Sequence, residues 1–485
     1  MMSLRPAIEN WKNLRILVVG DLILDHYVWG AVHRVSPEAP IPVLKVSGES
    51  VRAGGAANVA LNLSELGTSV VIAGFTGNDA NGARLRDILK DANITDGALT
   101  VPGLITTCKT RVIGGHQQIV RLDQEQIHEP SAAQLQELIQ FCAAQLQSVD
   151  ALVISDYAKG VCSKAFCEAL IQASVAAQVP VLVDPKGHDF SKYRQATLLC
   201  PNLAELGAVL RSGDMPPETM LERGLELMRT LELQYLVVSM SEHGLAVLDG
   251  SSILKFPAVL ARSVFDVSGA GDTVISMLAA CFAGGLDMAI AARLSNVAAG
   301  IVVGKVGTAP ITKTELLAAL QETEMKQMSD KIAGLDTLSS TVQRWRENGD
   351  SIIFANGCFD LLHVGHLSLL EQAKNEGGRL IVAINNDASV KRLKGYTRPV
   401  LGERDRARML AALECVDAVL IFEEDTPLAA IKALQPDVLV KGGDYTEEQI
   451  VGAEEVKSWN GRVKIFPLIH HISTSEIISR AMAMR

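Results

Sequence analysis

The sequence predicts an α/β protein made of two doubly wound domains. Three observations carry this. Short β-branched runs alternate with amphipathic helical stretches. Most of the runs are apolar throughout, as strands buried on both faces of a parallel sheet are. A polar stretch, residues 326–350, interrupts the rhythm, and a new strand–turn–helix unit starts directly after it.

In chain order the expected strands are LRILVVG (14–20), SVVIAGF (69–75), DALVIS (150–155), VPVLVD (179–184), YLVVSM (235–240), SIIFAN (351–356), RLIVAIN (379–385), DAVLIF (417–422) and DVLVKG (437–442). Between them, SAAQLQELIQFCAAQLQ (131–147) and KTELLAALQETEM (313–325) carry helical periodicity. Residues 40–52 and 105–121 alternate apolar and polar side chains, which predicts antiparallel strands with one wet face, a small lid-like sheet. Residues 1–325 are expected to form the first domain, 326–348 a linker with a short helix, and 349–485 the second domain.

Composition narrows the class. With 45 Lys+Arg against 55 Asp+Glu, the net charge of −10 argues against nucleic acid or an anionic membrane as partner. Aromatic residues, at 4%, are too few for base-stacking platforms. A chain 48% hydrophobic and 21% charged is not mostly disordered. The apolar stretch 274–285 is too short to span a bilayer, which takes about 20 residues, and the first residues show no secretory signal. Eight cysteines, at 108, 142, 162, 167, 200, 281, 358 and 415, form no CxxC pair. Reduced thiols in a cytoplasm are expected, with no metal site made by protein alone.

In the first domain, DVSGAGDTV (266–274) leads into an apolar helix. Gly269, Ala270 and Gly271 let the backbone come close to a ligand, and the free N–H groups and positive end of the helix suit a phosphate. Asp272 fits either a proton acceptor for an attacking hydroxyl or a helix cap. There is no GxxxxGK[ST] loop and no complete GxGxxG at a helix start. Gly54 and Gly55 precede a helix with Asn58 in its first turn, and Asp25 follows the first strand. Together they could meet a polar ligand at the strand ends. Taken singly, Asn58 also reads as a cap and Asp25 as a solvated loop carboxylate.

VVGDLILD, AGGAAN, the lid-like strands, VDPKG (183–187), PNLAE (201–205) and DVSGAGDT occur in one order. The set resembles the ribokinase-like PfkB sugar kinases over roughly residues 12–320. The resemblance implies a ribokinase-like domain with a small β lid that phosphorylates a sugar hydroxyl with ATP and Mg²⁺. It makes Asp272 the catalytic base and Gly269, Ala270 and Gly271 the anion hole. It places Asp25, Gly54, Gly55 and Asn58 on the sugar, and Asn202, Leu203, Ala204, Glu205 and Ser239 beside ATP.

In the second domain, ANGCFDLLHVGHLSLLEQA (355–373) places His363 and His366 three apart around Gly365. In a helical turn both imidazoles share a side, a good site for charge growing on a phosphate chain. HxxH beside Cys358, without acidic company, is a poor metal set. Lys391 and Lys394 follow the second strand and fit either a leaving pyrophosphate or an ordinary surface. Ser473, Thr474 and Ser475 open a helix, as phosphate donors or as caps.

GCFDLLHVGH, the lysines, LKGYTRPV, VKGGDY (440–445) and ISTS together resemble the cytidylyltransferase-like nucleotidyltransferases over about residues 349–485. The resemblance implies a Rossmann-like domain. It implies that His363 and His366, assisted by Lys391, stabilise the transition state at the α-phosphate. Gly357, Cys358, Phe359, Asp360, Lys394, Ser473, Thr474 and Ser475 would shape the nucleotide site.

The pairing, in this order, resembles the bifunctional bacterial heptose-phosphate kinase and adenylyltransferase enzymes of lipopolysaccharide core synthesis. It implies a cytoplasmic homodimer acting on sugar phosphates and ATP. Arg34, Arg52, Lys109, Arg111 and Arg121, in or near the lid-like strands, are candidates for holding a substrate phosphate. A kinase for another sugar, fused to a transferase making a CDP-linked product, stays open, because the motifs contact phosphates rather than bases.

Overall fold

The computed structural model describes residues 4–115, 117–213, 215–258, 266–443 and 445–467, without the side chains of 324–327. The expected phosphate donors Ser473, Thr474 and Ser475 lie outside the described residues. The chain divides into two compact units, 2–320 and 321–485.

The first unit is built on a nine-stranded sheet. Its spatial order is Ile253–Phe256, Leu245–Leu248, Tyr235–Ser239, Leu198–Leu199, Val181–Asp184, Ala151–Ser155, Arg15–Gly20, Ser69–Ala73 and Thr95–Asp96. Pairing is parallel throughout except for the two antiparallel pairings at the Ile253–Phe256 edge. Successive side chains of a strand face opposite ways. Ile16 and Val18 accordingly enter one core cluster, while Leu17 and Val19 enter the other. A continuous apolar run is what a sheet covered on both sides requires.

A second, four-stranded sheet runs Pro42–Gly55, Leu22–Val35, Thr107–Gly114, Gln117–Gln124. It departs from the all-antiparallel expectation, because Leu22–Val35 pairs parallel to Thr107–Gly114. The segment after the first strand is itself this long strand. Asp25 therefore sits in sheet backbone, only 3% exposed, and the solvated-loop alternative falls.

The helix Ala270–Ala283 is buried without a break from Asp272 to Cys281. It packs between the helices Ala56–Glu65 and Met288–Val302, which explains why its sequence is apolar on every side. Residues expected as linker are largely helical: Lys313–Asp330 reaches residue 330, and Leu335–Glu347 follows. Leu338 and Val342 of the latter are core residues of the second unit, packed with Ile352 and Phe354.

The second unit holds five parallel strands in the order Ala418–Phe422, Arg379–Asn385, Ile352–Gly357, Val438–Gly442, Arg462–Phe466. Its first strand, Ile352–Gly357, lies in the middle, so connections leave to either side of it. Arg15–Gly20 of the first unit is likewise an inner strand, between Ala151–Ser155 and Ser69–Ala73, with connections to either side. Such switch points open a crevice beyond the strand carboxyl ends. Among the described residues no helix is long and apolar enough to cross a membrane.

Candidate active sites

In the first unit the chain folds Asp272 into the first turn of Ala270–Ala283, with Gly269 as N-cap at φ +81°. A Cβ at Gly269 would meet the Asn58 amide at 2.9 Å, and the left-handed backbone would be strained for any other residue. Asn58 donates to one Asp272 oxygen at 2.7 Å, and the Tyr157 hydroxyl donates to the other at 2.8 Å. Asp272 is 3% exposed. Burial pushes its pKa up to about 6, against the two hydrogen bonds that favour the carboxylate. Burial thus leaves this carboxylate poised near neutrality, with one amide and one hydroxyl holding it.

Asp25 accepts from Arg111, whose guanidinium lies 5.4 Å from the Tyr27 ring centroid. Gly54 is opposite, and a Cβ there would meet the Asp25 carboxylate at 2.6 Å. Asp25 thus meets Gly54, Asn58 meets Asp272, and Gly55 packs against the Asp21 carbonyl and Ile23.

Beside them is a cavity of about 190 Å³, lined by Tyr157, Asp184, Lys186, Asn202, Glu205, Ser239 and Gly271 among others. A Cβ at Gly271 would meet nothing within 4 Å, so that side is open. Asn202 and Glu205 cap the helix Leu203–Leu210 reciprocally, and Glu205 also takes a 2.7 Å ion pair from Lys186. Burial and the neighbouring Asp272 and Glu205 carboxylates hold Asp184 well above the usual carboxylate range. Leu203 and Ala204 line a second, wider cavity of about 820 Å³ that shares Asn202.

In the second unit a cavity of about 510 Å³ opens at the end of Ile352–Gly357. Gly357, Cys358, Phe359, Asp360, His363, His366 and Lys394 all line it. His363 is the N-cap of Val364–Lys374 and His366 lies in its first turn. Their rings stack with centroids 3.9 Å apart, and the buried Nδ1 atom of each has no hydrogen-bond partner among the described residues. Burial lowers His363, and burial with the His363 charge lowers His366 to about 4. Both imidazoles are thus neutral near pH 7, with polar atoms unspent at a helix N-terminus. Asp360 accepts from Arg398 and from the Val400 N–H at 2.6 Å. Arg406, 1% exposed, ties the floor together through Cys358, Asn385 and Leu401 carbonyls and the Asp387 carboxylate.

Two family models match these two units. That of the pfkB family carbohydrate kinases covers residues 13–315, and the cytidylyltransferase-like one covers 354–480. The bifunctional protein HldE of Koribacter versatilis is 47% identical over 472 residues, 97% of each chain. That of Methylobacillus flagellatus is 49% identical over 469 residues, 96% of each. The chain belongs to the HldE bifunctional protein family. It is an enzyme with a sugar kinase domain and a nucleotidyltransferase domain. Solved structures agree with the first fold. Phosphofructokinase-2 from Escherichia coli superposes with a TM-score of 0.54 at 19% identity, covering 64% of this chain and 98% of that one. Ribokinase from Giardia lamblia does so with 0.52 at 17%, covering 64% and 99%.

Within the HldE frame, most residues singled out by sequence converge. Lys391 does not line the second cavity, and its neighbour Lys394, on the same helix Asp387–Lys394, does. Arg34 stands at the exposed end of Leu22–Val35, nine residues beyond Asp25 and so roughly 30 Å away at strand rise. Arg52 and Arg111 instead flank Tyr27, Lys109 lies over Tyr157, and Arg121 pairs with Asp123. Tyr157, Asp184 and Lys441 were not singled out. Asp184 and Lys441 sit inside the quoted VDPKG and VKGGDY, but no local pattern marks Tyr157.

Proposed function

We propose that the first unit transfers the γ-phosphoryl group of ATP to O1 of D-glycero-β-D-manno-heptose 7-phosphate. The second unit then transfers the adenylyl group of ATP to heptose 1-phosphate, giving ADP-heptose and pyrophosphate for lipopolysaccharide core. A separate phosphatase removes the 7-phosphate between the steps. The observation that carries the reading is Asp272: a buried carboxylate at a helix N-terminus, held by Asn58 and next in sequence to Gly271, which lines the cavity of Asn202, Glu205 and Ser239.

In the first site Asp25, Gly54, Gly55 and Asn58 hold the sugar. Asp272 takes the proton of the attacking O1 hydroxyl as that oxygen bonds to the γ-phosphorus and ADP leaves. The positive end of Ala270–Ala283 faces the transferring phosphoryl group, through Gly269, Ala270 and Gly271. Leu203 and Ala204 face the nucleotide from the wider cavity. Asp184 and Glu205 put carboxylate oxygens on the narrower cavity, the donor type a hard cation takes. These two would hold the Mg²⁺ that accompanies ATP, and that ion offsets phosphate charge when bound. In the second site His363 and His366 donate to the α-phosphate as the sugar phosphate oxygen attacks. Lys394 holds the leaving pyrophosphate, with Lys391 three residues back on the same helix. Ser473, Thr474 and Ser475 are assigned to phosphates by resemblance alone.

A cytoplasmic homodimer belongs to the same reading. All eight cysteines are free, which supports a reducing compartment. Val46 and Leu122, 59% and 57% exposed on the four-stranded sheet, support pairing there. The test is mass spectrometry of products from purified protein, Mg²⁺ and ATP with heptose 7-phosphate, and separately with heptose 1-phosphate. A heptose bisphosphate in one tube and ADP-heptose with pyrophosphate in the other are expected. Silence in both, with ATP still bound, would defeat the heptose assignment. Product from CTP instead of ATP would defeat the adenylyl assignment.

A further inference from the structure

The Asp272 carboxylate has a donor on each oxygen: Asn58 on one and the Tyr157 hydroxyl on the other. A carboxyl group turns easily about its last torsion. A single donor leaves its plane loose, whereas two donors on two oxygens fix it. Tyr157 is itself held from behind. Its backbone N–H donates to Asp21 at 2.8 Å, and the N–H groups of Lys159 and Val161 donate to the same carboxylate at 3.0 and 3.2 Å. The Lys109 ammonium lies 5.4 Å from the Tyr157 ring centroid. Asp21 is 2% exposed and enters none of the contacts assigned to substrate.

We propose that Tyr157 is a positioning residue for Asp272: its hydroxyl sets the plane and the basicity of that carboxylate, and Asp21 fixes the 157–161 loop that carries it. The proposal rests on Asp272 being the base of the kinase. The other charged groups facing Asp272 are Asp25 from Leu22–Val35, Lys109 from Thr107–Gly114 and Asp184 at the end of Val181–Asp184. Asp25 and Asp184 oppose its ionisation and Lys109 favours it. A hydrogen bond donated to the ionised form favours that form. Losing the Tyr157 hydroxyl therefore makes Asp272 harder to ionise.

The experiment is the pH profile of kinase kcat/KM, with ATP and heptose 7-phosphate, for wild type, Tyr157→Phe, Asp21→Asn and Asp272→Asn. Tyr157→Phe keeps the ring over Lys109 and the backbone bonds to Asp21. Adenylyl transfer by the same molecules checks that the rest of the chain is intact. Wild type is expected to lose activity on the acid side near pH 6. Tyr157→Phe is expected to move that limb up by about one pH unit and to lower kcat about tenfold with KM for ATP unchanged. Asp21→Asn is expected to move the limb the same way by less. A Tyr157→Phe profile lowered at every pH but not displaced, or one identical to wild type while Asp272→Asn has lost at least about 10²-fold in kcat, would overturn the proposal. An unmoved limb in Asp21→Asn would overturn the part played by Asp21. Kinase activity within about tenfold of wild type in Asp272→Asn would overturn the base assignment itself.

Discussion

Asp272 and His366 are perturbed by the same force in opposite directions, because burial penalises charge. For Asp272 the neutral form is favoured in the fold. Its contribution to stability is full below its ordinary 3.8 and is lost as pH rises through about 6. At pH 8 the buried carboxylate is therefore a cost, and Asp272→Asn removes it. The Tyr157 hydroxyl can turn to accept from the new amide. The expected result is kinase kcat lower by about 10²–10⁴-fold, with a melting midpoint at pH 8 no lower than wild type. A calorimetric scan beside the kinetic assay checks both. His366 runs the other way. Its stabilisation is complete above its ordinary 6.5 and is lost as pH falls through about 4. The stability gap between wild type and His366→Gln should narrow by about 3 kcal/mol from pH 7 to pH 4, measured by denaturant titration at the two pH values.

At the scale of elements, legibility followed length and apolarity. The run at 14–20 shows on the page because every side chain from Ile16 to Val19 is buried on one face or the other. Leu198–Leu199 does not show, because two residues hold no period, and it is strand only through its neighbours on both sides. Leu22–Val35 was missed for another reason. Its first residues are buried and its last exposed, so no single alternation runs its length. The glycine motif at 269–271 was legible, whereas the Tyr157–Asp272 contact joins residues 115 apart in sequence, and no spacing announces it. The open space at Gly271 gives a prediction at this scale. Gly271→Val should fold as wild type, since its Cβ meets nothing, yet raise the kinase KM for ATP at least about tenfold by filling the cavity. Steady-state kinetics with a melting curve separates the two effects.

For the whole molecule, each compact unit carries its own sheet and its own pair of core clusters. Substitutions in one site should leave the other reaction alone. Asp272→Asn should lower only the kinase, by about 10²–10⁴-fold, and His363→Ala should lower only adenylyl transfer, by about 10²–10³-fold. An equal mixture of the two variants, supplied with a phosphatase, should make ADP-heptose from heptose 7-phosphate at about half the rate of wild type. Failure of the mixture, with each single activity present, would show that the intermediate must stay on one molecule.

The helices starting after Asp79, Ser131, Ser163, Asn202 and Asp287 each take a side-chain cap, but Ala270–Ala283 starts from a glycine with none. Its Ala270 and Thr273 amides have backbone acceptors, whereas those of Gly271 and Asp272 have none among the described residues. On the proposed reading an anionic ligand would supply the missing terminus of the helix. In deuterated water these two amides should exchange quickly in the free protein and slow sharply once nucleotide binds, while the capped helix starts keep their pace.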